Sequence, residues 1–153
     1  MTTQTILAFN RRTALGIAVA ALGLLTLSPS AMAAPTASSS ARSVEVLSGN
    51  VRALAHSARG RAAVVATGGR RTLTLRNFRI DPGPRVRVWL VPRGASGDGR
   101  FARDHIDIGR LKGSRGNKRY AIPKRVDLRR YSSVIFWCVP FTQGLARADL
   151  NRS

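Results

Sequence analysis

Acidic residues are scarce in this chain. Its 153 residues include 7 Asp and Glu against 26 Lys and Arg, which gives a formal net charge of +19. The few carboxylates are scattered and offer no evident pair for acid–base catalysis. The cationic surplus favours anionic partners such as nucleic acid, a teichoic-type polymer, an acidic polysaccharide or an anionic membrane face. The alternative interpretation is coding bias, because the chain is also rich in Ala and Gly.

Sulfur-containing and imidazole side chains are equally few. Cysteine occurs once, as Cys138, and the two histidines are His56 and His105. A blue-copper site uses two His, one Cys and often an axial Met, but both methionines, Met1 and Met32, precede the expected cleavage point described below, so copper is disfavoured. The sequence lacks the closely spaced ligand pairs that a structural zinc site uses. The absence of C-x-x-C-H excludes covalent c-type haem, whereas a non-covalent haem with Cys138 or His56 as axial ligand stays open.

Motifs of common enzyme classes are also missing. The sequence has no G-x-S-x-G nucleophile elbow, and its Gly-rich turns lack the P-loop and Rossmann patterns. The lone cysteine has no second cysteine in the chain to pair with, which is unusual for an exported protein. Because the motifs of these enzyme classes are missing, we expect a module that does not act as a stand-alone enzyme.

The first 33 residues are predicted to be a cleaved export signal. Arg11 and Arg12 precede an apolar run from Thr13 to Leu27, and Ala31-Met32-Ala33 forms an A-x-A cleavage signal. The run has 15 residues, short of the roughly 20 that span a bilayer; the alternative is an uncleaved anchor helix. The arginine pair weakly resembles a twin-arginine signal, so the export route stays open. We expect an extracellular or cell-surface protein with no transmembrane anchor after processing. Export separates the protein from nucleic acid, which is therefore not an expected partner.

The mature chain is expected to be one all-β domain. Residues 34–43 are small and polar and are predicted to be a flexible linker, followed by a domain over 44–153. Apolar and polar residues alternate in segments such as Arg71 to Phe78 and Arg85 to Val91, with Gly- and Pro-rich turns between them. The pattern predicts a small β-sandwich or barrel-like fold of about seven short strands.

Other segments are assigned by the same reasoning. Val44 to Ala58 is ambiguous between short strands and a turn or two of helix. Pro92 to Arg103 is predicted to be a long exposed loop, because it is rich in Gly, Ser and Arg. Short strands are predicted within Ile106 to Gly109, Lys118 to Ile122 and Leu145 to Leu150. A hairpin turn is predicted at Thr67-Gly68-Gly69-Arg70, because glycine readily adopts the positive φ angles that such a turn needs.

The densest apolar run of the domain lies between Tyr131 and Phe141. Its sequence, YSSVIFWCVPF, predicts a strand that is buried on both faces near the middle of a sheet. Period-two alternation predicts one face formed by Val134, Phe136 and Cys138, and a second face formed by Ile135, Trp137 and Val139. Cys138 is the residue most able to carry chemistry here; the alternative is a small, inert core side chain.

Several stretches together resemble the DM13 domain, a small extracellular β module proposed to act in electron transfer. The stretches are Gly49 through His56 to Gly60, then LTLRNF with DPGPRVRVWL, IDIGRLKGSRGNKRYAIP, VDLRRYSSVIFWC and GLARADL. The resemblance covers essentially the whole mature domain. It implies that Cys138 is the redox residue, as a free thiol or as a ligand of a prosthetic group, and that His56 is a candidate second ligand. The chain departs from the family at Arg85, where an acidic residue is usual, and at Val51, where an aromatic one is usual.

Two functional hypotheses follow. The first is an exported electron-transfer module centred on Cys138, with Trp137 as a mainly structural neighbour and a redox partner protein. The second is a non-catalytic basic surface module in which Arg76, Arg85, Arg87 and Trp89 hold an anionic cell-envelope polymer or a partner protein. The second hypothesis depends on strand alternation, which places Arg85, Arg87 and Trp89 on one outward face.

Overall fold

The computed structural model describes residues 41–153. They form nine strands and one short helix: β1 (Ser43–Ala53), β2 (Ala58–Thr67), β3 (Arg70–Ile80), β4 (Val86–Val91), α1 (Asp98–Arg103), β5 (Ile106–Arg110), β6 (Arg115–Ile122), β7 (Ser133–Cys138), β8 (Gln143–Asp149) and β9 (Asn151–Arg152). The all-β prediction is confirmed, and nine strands replace the predicted seven or so.

All neighbouring strands are antiparallel and follow the order β5-β4-β7-β8-β1-β2-β3-β6, with β9 added beside β1. The long strand β1 pairs with β8 near its C-terminal end and with β2 along most of its length, and a register shift lies between Glu45 and Leu47. The sheet thus wraps into a nearly closed barrel, which leaves few backbone groups without a partner strand.

Strand β7 lies between β4 and β8, and all six of its residues are buried. Val134, Phe136 and Cys138 belong to the main core inside the barrel, whereas Ile135 and Trp137 belong to a second, smaller cluster on the outer side. The predicted alternation is confirmed over these five residues. The strand ends at Cys138, one residue before the predicted Val139.

The predicted hairpin between β2 and β3 is present. Thr67 pairs with Arg70, and Gly68 and Gly69 have φ angles of 53° and 75°. Both values lie in the left-handed region that a two-residue hairpin turn requires. This turn fixes the register of β2 against β3, on which the surface arrangement described below depends.

Three local expectations change. The ambiguous segment from Val44 is strand as far as Ala53, because it pairs with both β2 and β8. The predicted loop from Pro92 to Arg103 contains helix α1, and its Phe101 is buried in the outer cluster. Arg85 lies just before β4 with a φ angle of 44°, so it belongs to the turn and not to the alternating strand.

The predicted export signal, residues 1–33, lies outside the described residues, as does most of the predicted linker at 34–43. Within residues 41–153, no helix is long and apolar enough to cross a bilayer.

Candidate functional site

Cys138 lies at the end of β7, beneath the turn that joins β3 to β4. Its side chain is 1% exposed and contacts the main core. The backbone pairs with Val86 on β4 and with Gln143 on β8. The thiol donates a hydrogen bond to the Pro84 carbonyl oxygen over 3.3 Å. The sulfur is therefore held inside the barrel and oriented by the turn.

The turn owes its shape to the sequence DPGPR over residues 81–85. Two prolines restrict φ on either side of Gly83, and Arg85 adopts the left-handed conformation that delivers the chain into β4. A Cβ added at Gly83 would lie 3.0 Å from the Leu145 side chain and 3.2 Å from the Val86 side chain. A side chain at position 83 would thus press on core side chains of β4 and β8.

His56 contacts the same turn from the loop between β1 and β2. Its Nδ1 lies 3.3 Å from the Asp81 carbonyl oxygen, and its Cε1 would lie 3.9 Å from a Cβ at Gly83. The loop is anchored because the backbone N–H groups of residues 54–56 all point to the Leu145 carbonyl oxygen, at 3.0 to 3.1 Å. The two sequence-predicted ligand candidates are therefore both brought to the Asp81–Pro84 turn.

The packing around this turn does not form a cradle for a haem. Leu145 is 1% exposed and Val86 is 6% exposed, and both would meet even a single methyl group at Gly83. A macrocycle could reach the sulfur only after core side chains moved. Among residues 41–153, no three His, Cys, Asp or Glu side chains converge in the way a metal centre requires.

Exposed apolar side chains gather on the loops at this end of the barrel. Leu54 lies on the loop that carries His56, and Val139 and Phe141 lie on the turn that follows Cys138. They are 46%, 36% and 67% exposed, and they are three of the four large apolar residues exposed within residues 41–153. Val139 is directly bonded to Cys138, so this surface lies one residue from the buried sulfur.

Trp137 points to the opposite side of β7, where it takes part in an aromatic stack. Its ring centroid lies 4.6 Å from that of Trp89, and Trp89 lies 3.6 Å from His105. The planes are inclined by 19° and 15°, so the three rings are nearly parallel. Phe101 from α1 completes the cluster. Such stacking adds about 0.5–1.5 kcal/mol per aromatic pair to the burial of the rings.

Trp89 is only 7% exposed, which corrects the expectation of an outward binding residue. It does lie on the side opposite Val88, as alternation predicts, but the cluster with α1 covers it. Its indole N–H is buried and makes no well-aligned hydrogen bond. The N–H nevertheless lies near enough to Asp107 to stabilise the ionised form of that carboxyl group. Burial opposes ionisation of Asp107, but hydrogen bonds from Arg87 and the Gly109 N–H prevail and lower its pKa.

The segment that covers this cluster is tied to β8 by polar contacts. Arg147, 7% exposed, donates a 2.8 Å hydrogen bond to the Ala95 carbonyl oxygen and is ion-paired with Asp149. Asp98 accepts a 2.8 Å hydrogen bond from the Gly144 N–H. Burial opposes the charge on Asp149, but hydrogen bonds from Ser133 and Arg147 outweigh it and lower the pKa of this carboxyl group.

The four predicted polyanion-binding residues do not come together. Arg76 lies on β3, whereas Arg87 and Trp89 lie on β4, and these strands are not neighbours. Arg87 is ion-paired with Asp107 over 2.6 Å. Arg76 and Arg85 are exposed, one on the outer surface of the sheet and the other in the turn above Cys138.

Sequence reasoning missed two groups that the structure brings into contact. The family resemblance points to His56 and not to His105, yet His105 stacks on Trp89. Its position sixteen residues further along the chain carries no local sign of that contact. Arg147 was not singled out, although the alternation in GLARADL places it on one face of a predicted strand. A lone arginine among small apolar residues was the available signal.

Comparison with known families gives one match. A family model described as electron transfer DM13 matches residues 50–150, which include both His56 and Cys138. No curated protein and no solved structure matches the chain.

Proposed function

Because the chain belongs to the electron transfer DM13 family, we propose that it is an exported electron-transfer module whose redox centre is the Cys138 thiol. The observation that supports this centre is the position of the sulfur. It is buried, hydrogen-bonded to Pro84 and separated by one peptide unit from the exposed apolar turn at Val139. Export is part of the proposal and depends on the signal predicted from residues 1–33.

The free thiol is the form of the centre that the packing favours. A thiolate nucleophile needs access to its target, and a side chain that is 1% exposed has almost none. One-electron transfer needs only proximity to an acceptor. The sulfur loses one electron to a one-electron acceptor in a partner protein. Its proton, which points to the Pro84 carbonyl oxygen, leaves to water at the exposed turn of residues 81–85, and a sulfur radical remains. Return of one electron and one proton restores the thiol.

The acceptor is expected to dock on the apolar surface formed by Leu54, Val139 and Phe141. Apolar and aromatic side chains are enriched in the centres of protein interfaces. Val139 and Phe141 lie on the turn that directly follows Cys138, and Leu54 lies on the loop that carries His56. His56 contributes by holding the Asp81 carbonyl and hence the turn. Trp137 faces away from the sulfur side of β7, so we assign it to packing.

The test compares the wild-type protein, purified from its native host, with Cys138→Ser. The serine hydroxyl can keep the hydrogen bond to Pro84, so the variant is expected to fold. Absorption spectra and metal analysis are recorded first, followed by stopped-flow titration with hexachloroiridate(IV), a one-electron oxidant. The wild type is expected to be colourless and to consume the oxidant in a fast phase that Cys138→Ser lacks.

Two results would contradict the free-thiol centre. A chromophore or metal that disappears in Cys138→Ser would make the residue a ligand, and His56→Gln would then test the second ligand. Identical oxidation kinetics in wild type and Cys138→Ser would make Cys138 an ordinary core residue. Phe141→Ser is the matched docking variant: it should slow reaction with a partner protein but not with the small oxidant.

A further inference from the structure

The outer surface of β2, β3 and β6 carries an unusual group of arginines, which we call the arginine face. It consists of six exposed residues: Arg59, Arg61, Arg76, Arg79, Arg115 and Arg119. These strands are consecutive neighbours in the sheet. Adjacent strands lie about 4.8 Å apart, so the side chains are within reach of one ligand.

Strand register places several of these arginines directly opposite one another. Arg79 on β3 pairs with Arg59 on β2 and with Arg115 on β6, which forms a row across all three strands. Arg61 pairs with Arg76 in the next row. Like charges at directly opposed positions destabilise a sheet, so this arrangement is unfavourable for folding alone.

A β-bulge brings the two rows onto the same face. Residues three apart on a regular strand point to opposite sides, but Arg76 and Arg79 are both exposed while Phe78 between them is buried. The extra residue is accommodated by Asn77, with a φ angle of 48°, opposite Gly60, with a φ angle of 133°. Bulges that aim side chains in this way are common near functional sites.

The arginine face is poorly neutralised. Arg61 forms an ion pair with Glu45. None of the other five arginines forms an ion pair or a side-chain hydrogen bond with residues 41–153. Residues 1–40 contain no Asp or Glu that could serve instead. Asp81 lies beside Arg59 and Arg79 in a shallow depression, yet it is ion-paired with neither. Five guanidinium groups therefore remain available for an external anion.

Neutral donors border the same surface. A second depression is lined by Arg76, Asn77, Asn117 and Arg119, among others. The Asn117 Oδ1 accepts a 3.0 Å hydrogen bond from the Asn77 N–H, which leaves its amide NH2 group as a further donor. Guanidinium groups bind phosphate and carboxylate oxygens in a bidentate way. The surface is thus rich in donors at several points along its width.

The arginine face has no large exposed apolar side chains among its described residues, and this limits the kinds of partner that it can bind. The large apolar residues exposed within residues 41–153 are Val44, Leu54, Val139 and Phe141, and none lies on β2, β3 or β6. Without exposed aromatic rings the face has no platform for base stacking. It also lacks side chains that would insert into a bilayer or form the apolar centre of a protein interface.

We propose that the arginine face binds a linear, non-aromatic polymer that carries an oxyanion on successive units, through the backbone charges of that polymer. The proposal does not depend on Cys138, which lies inside the barrel. Phosphate and carboxylate polymers share this chemistry, so both are used as probes: poly(glycerol phosphate) and polygalacturonate.

The test measures affinity for both probes at several salt concentrations. The face variant is Arg59→Gln/Arg79→Gln/Arg115→Gln. The control variant, Arg103→Gln/Arg110→Gln/Arg125→Gln, removes the same charge from exposed arginines that form no ion pair in residues 41–153 and lie off the arginine face. We expect the affinity of the face variant for at least one probe to fall about tenfold or more, and that of the control variant to fall about threefold or less. The slope of log affinity against log salt concentration should decrease in magnitude by about 2 to 3 in the face variant.

Three results would overturn the proposal. Equal losses in the face and control variants would mean that net charge alone is sensed. Oligothymidylate of equal charge binding more than about tenfold tighter than either probe would identify a nucleic-acid surface. If the wild type binds neither probe at about 50 mM salt, the proposed site does not exist. If the face variant does not fold, Arg79→Gln alone replaces it, with an expected loss of about threefold or more.

Discussion

The two outer faces of this barrel are built in opposite ways. On the face of β4 and β7, aromatic rings are stacked and covered by α1 and its flanking loop. Carboxylates surround that cover: Asp98, Asp104, Asp107 and Asp149 all accept hydrogen bonds there. On the arginine face, helix α1 does not cover the strands, and Arg61 with Glu45 is the one ion pair that the six arginines form within residues 41–153. Four of the seven carboxylates of the chain therefore lie around the covered face, whereas the arginine face has Glu45 and, at its margin, Asp81.

The difference shows which face serves stability. Burial of Trp89 and Trp137 removes large apolar surfaces from water and stabilises the fold, whereas opposed arginines oppose it. A surface retained against its own electrostatic repulsion is expected to have another use. Substitutions on the two faces should therefore change stability in opposite directions.

The largest expected effect is on the covered face. Trp89→Ala should lower the free energy of unfolding by about 3–5 kcal/mol, because it opens a cavity between His105 and Trp137. Urea unfolding measures the change. Arg76→Ala on the arginine face is the control, and its free energy of unfolding should stay within about 0.5 kcal/mol of that of the wild type. A similar loss in both variants would remove the distinction between the faces.

An intermediate effect is expected at the edge of the cover. Asp149→Asn should destabilise the protein by about 1–3 kcal/mol at neutral pH, because it weakens the partner of the buried Arg147 guanidinium. The pKa of Asp149 is lowered in the folded state. Its stabilisation is therefore present above the unfolded pKa and is lost as pH falls through the folded pKa.

Wild type and Asp149→Asn should consequently converge in stability as the pH is lowered through the acid range, which thermal unfolding at a series of pH values would show. Asp127→Asn is the matched control, since its ion pair with Arg129 is loose, at 3.7 Å, and exposed. A difference between wild type and Asp149→Asn that persists unchanged in acid would show that the carboxylate charge is not what holds Arg147.

The smallest effect has the opposite sign. Arg79→Gln should raise the free energy of unfolding by about 0.2–1 kcal/mol at low salt, because it relieves repulsion from Arg59 and Arg115. The gain should shrink at high salt, where exposed charges are screened. A loss of stability at both salt concentrations would mean that Arg79 makes a favourable contact in the folded state.

Local patterns in the sequence predicted much of the fold because strand periodicity is a local property. The two faces of β7 follow from side-chain alternation, and the hairpin at Gly68 and Gly69 follows from the need for positive φ angles. Family resemblance added His56 and Cys138 as a pair, and the structure brings both to one turn.

The remaining features depend on contacts between distant segments. Helix α1 has six residues and lacks a side-chain N-cap, so its sequence resembles that of a loop. The bulge that turns Arg76 and Arg79 to the same face arises from the pairing of β2 with β3, and alternation alone places them on opposite faces. The exposure expected for Trp89 failed because the covering segment comes from elsewhere in the chain.

The position of β1 has a consequence for the order of folding. Strand β1 is the first in the domain, yet it lies between β2 and β8 and also pairs with β9, the last strand. The barrel therefore cannot close until residues 143–152 are available, and until then β1 and β7 each present an unpaired edge. Pairing of such distant segments is slow. A chain that has emerged only as far as Cys138 should be the form most prone to aggregation, and a chaperone that covers β-strand edges would be most useful to it at that moment.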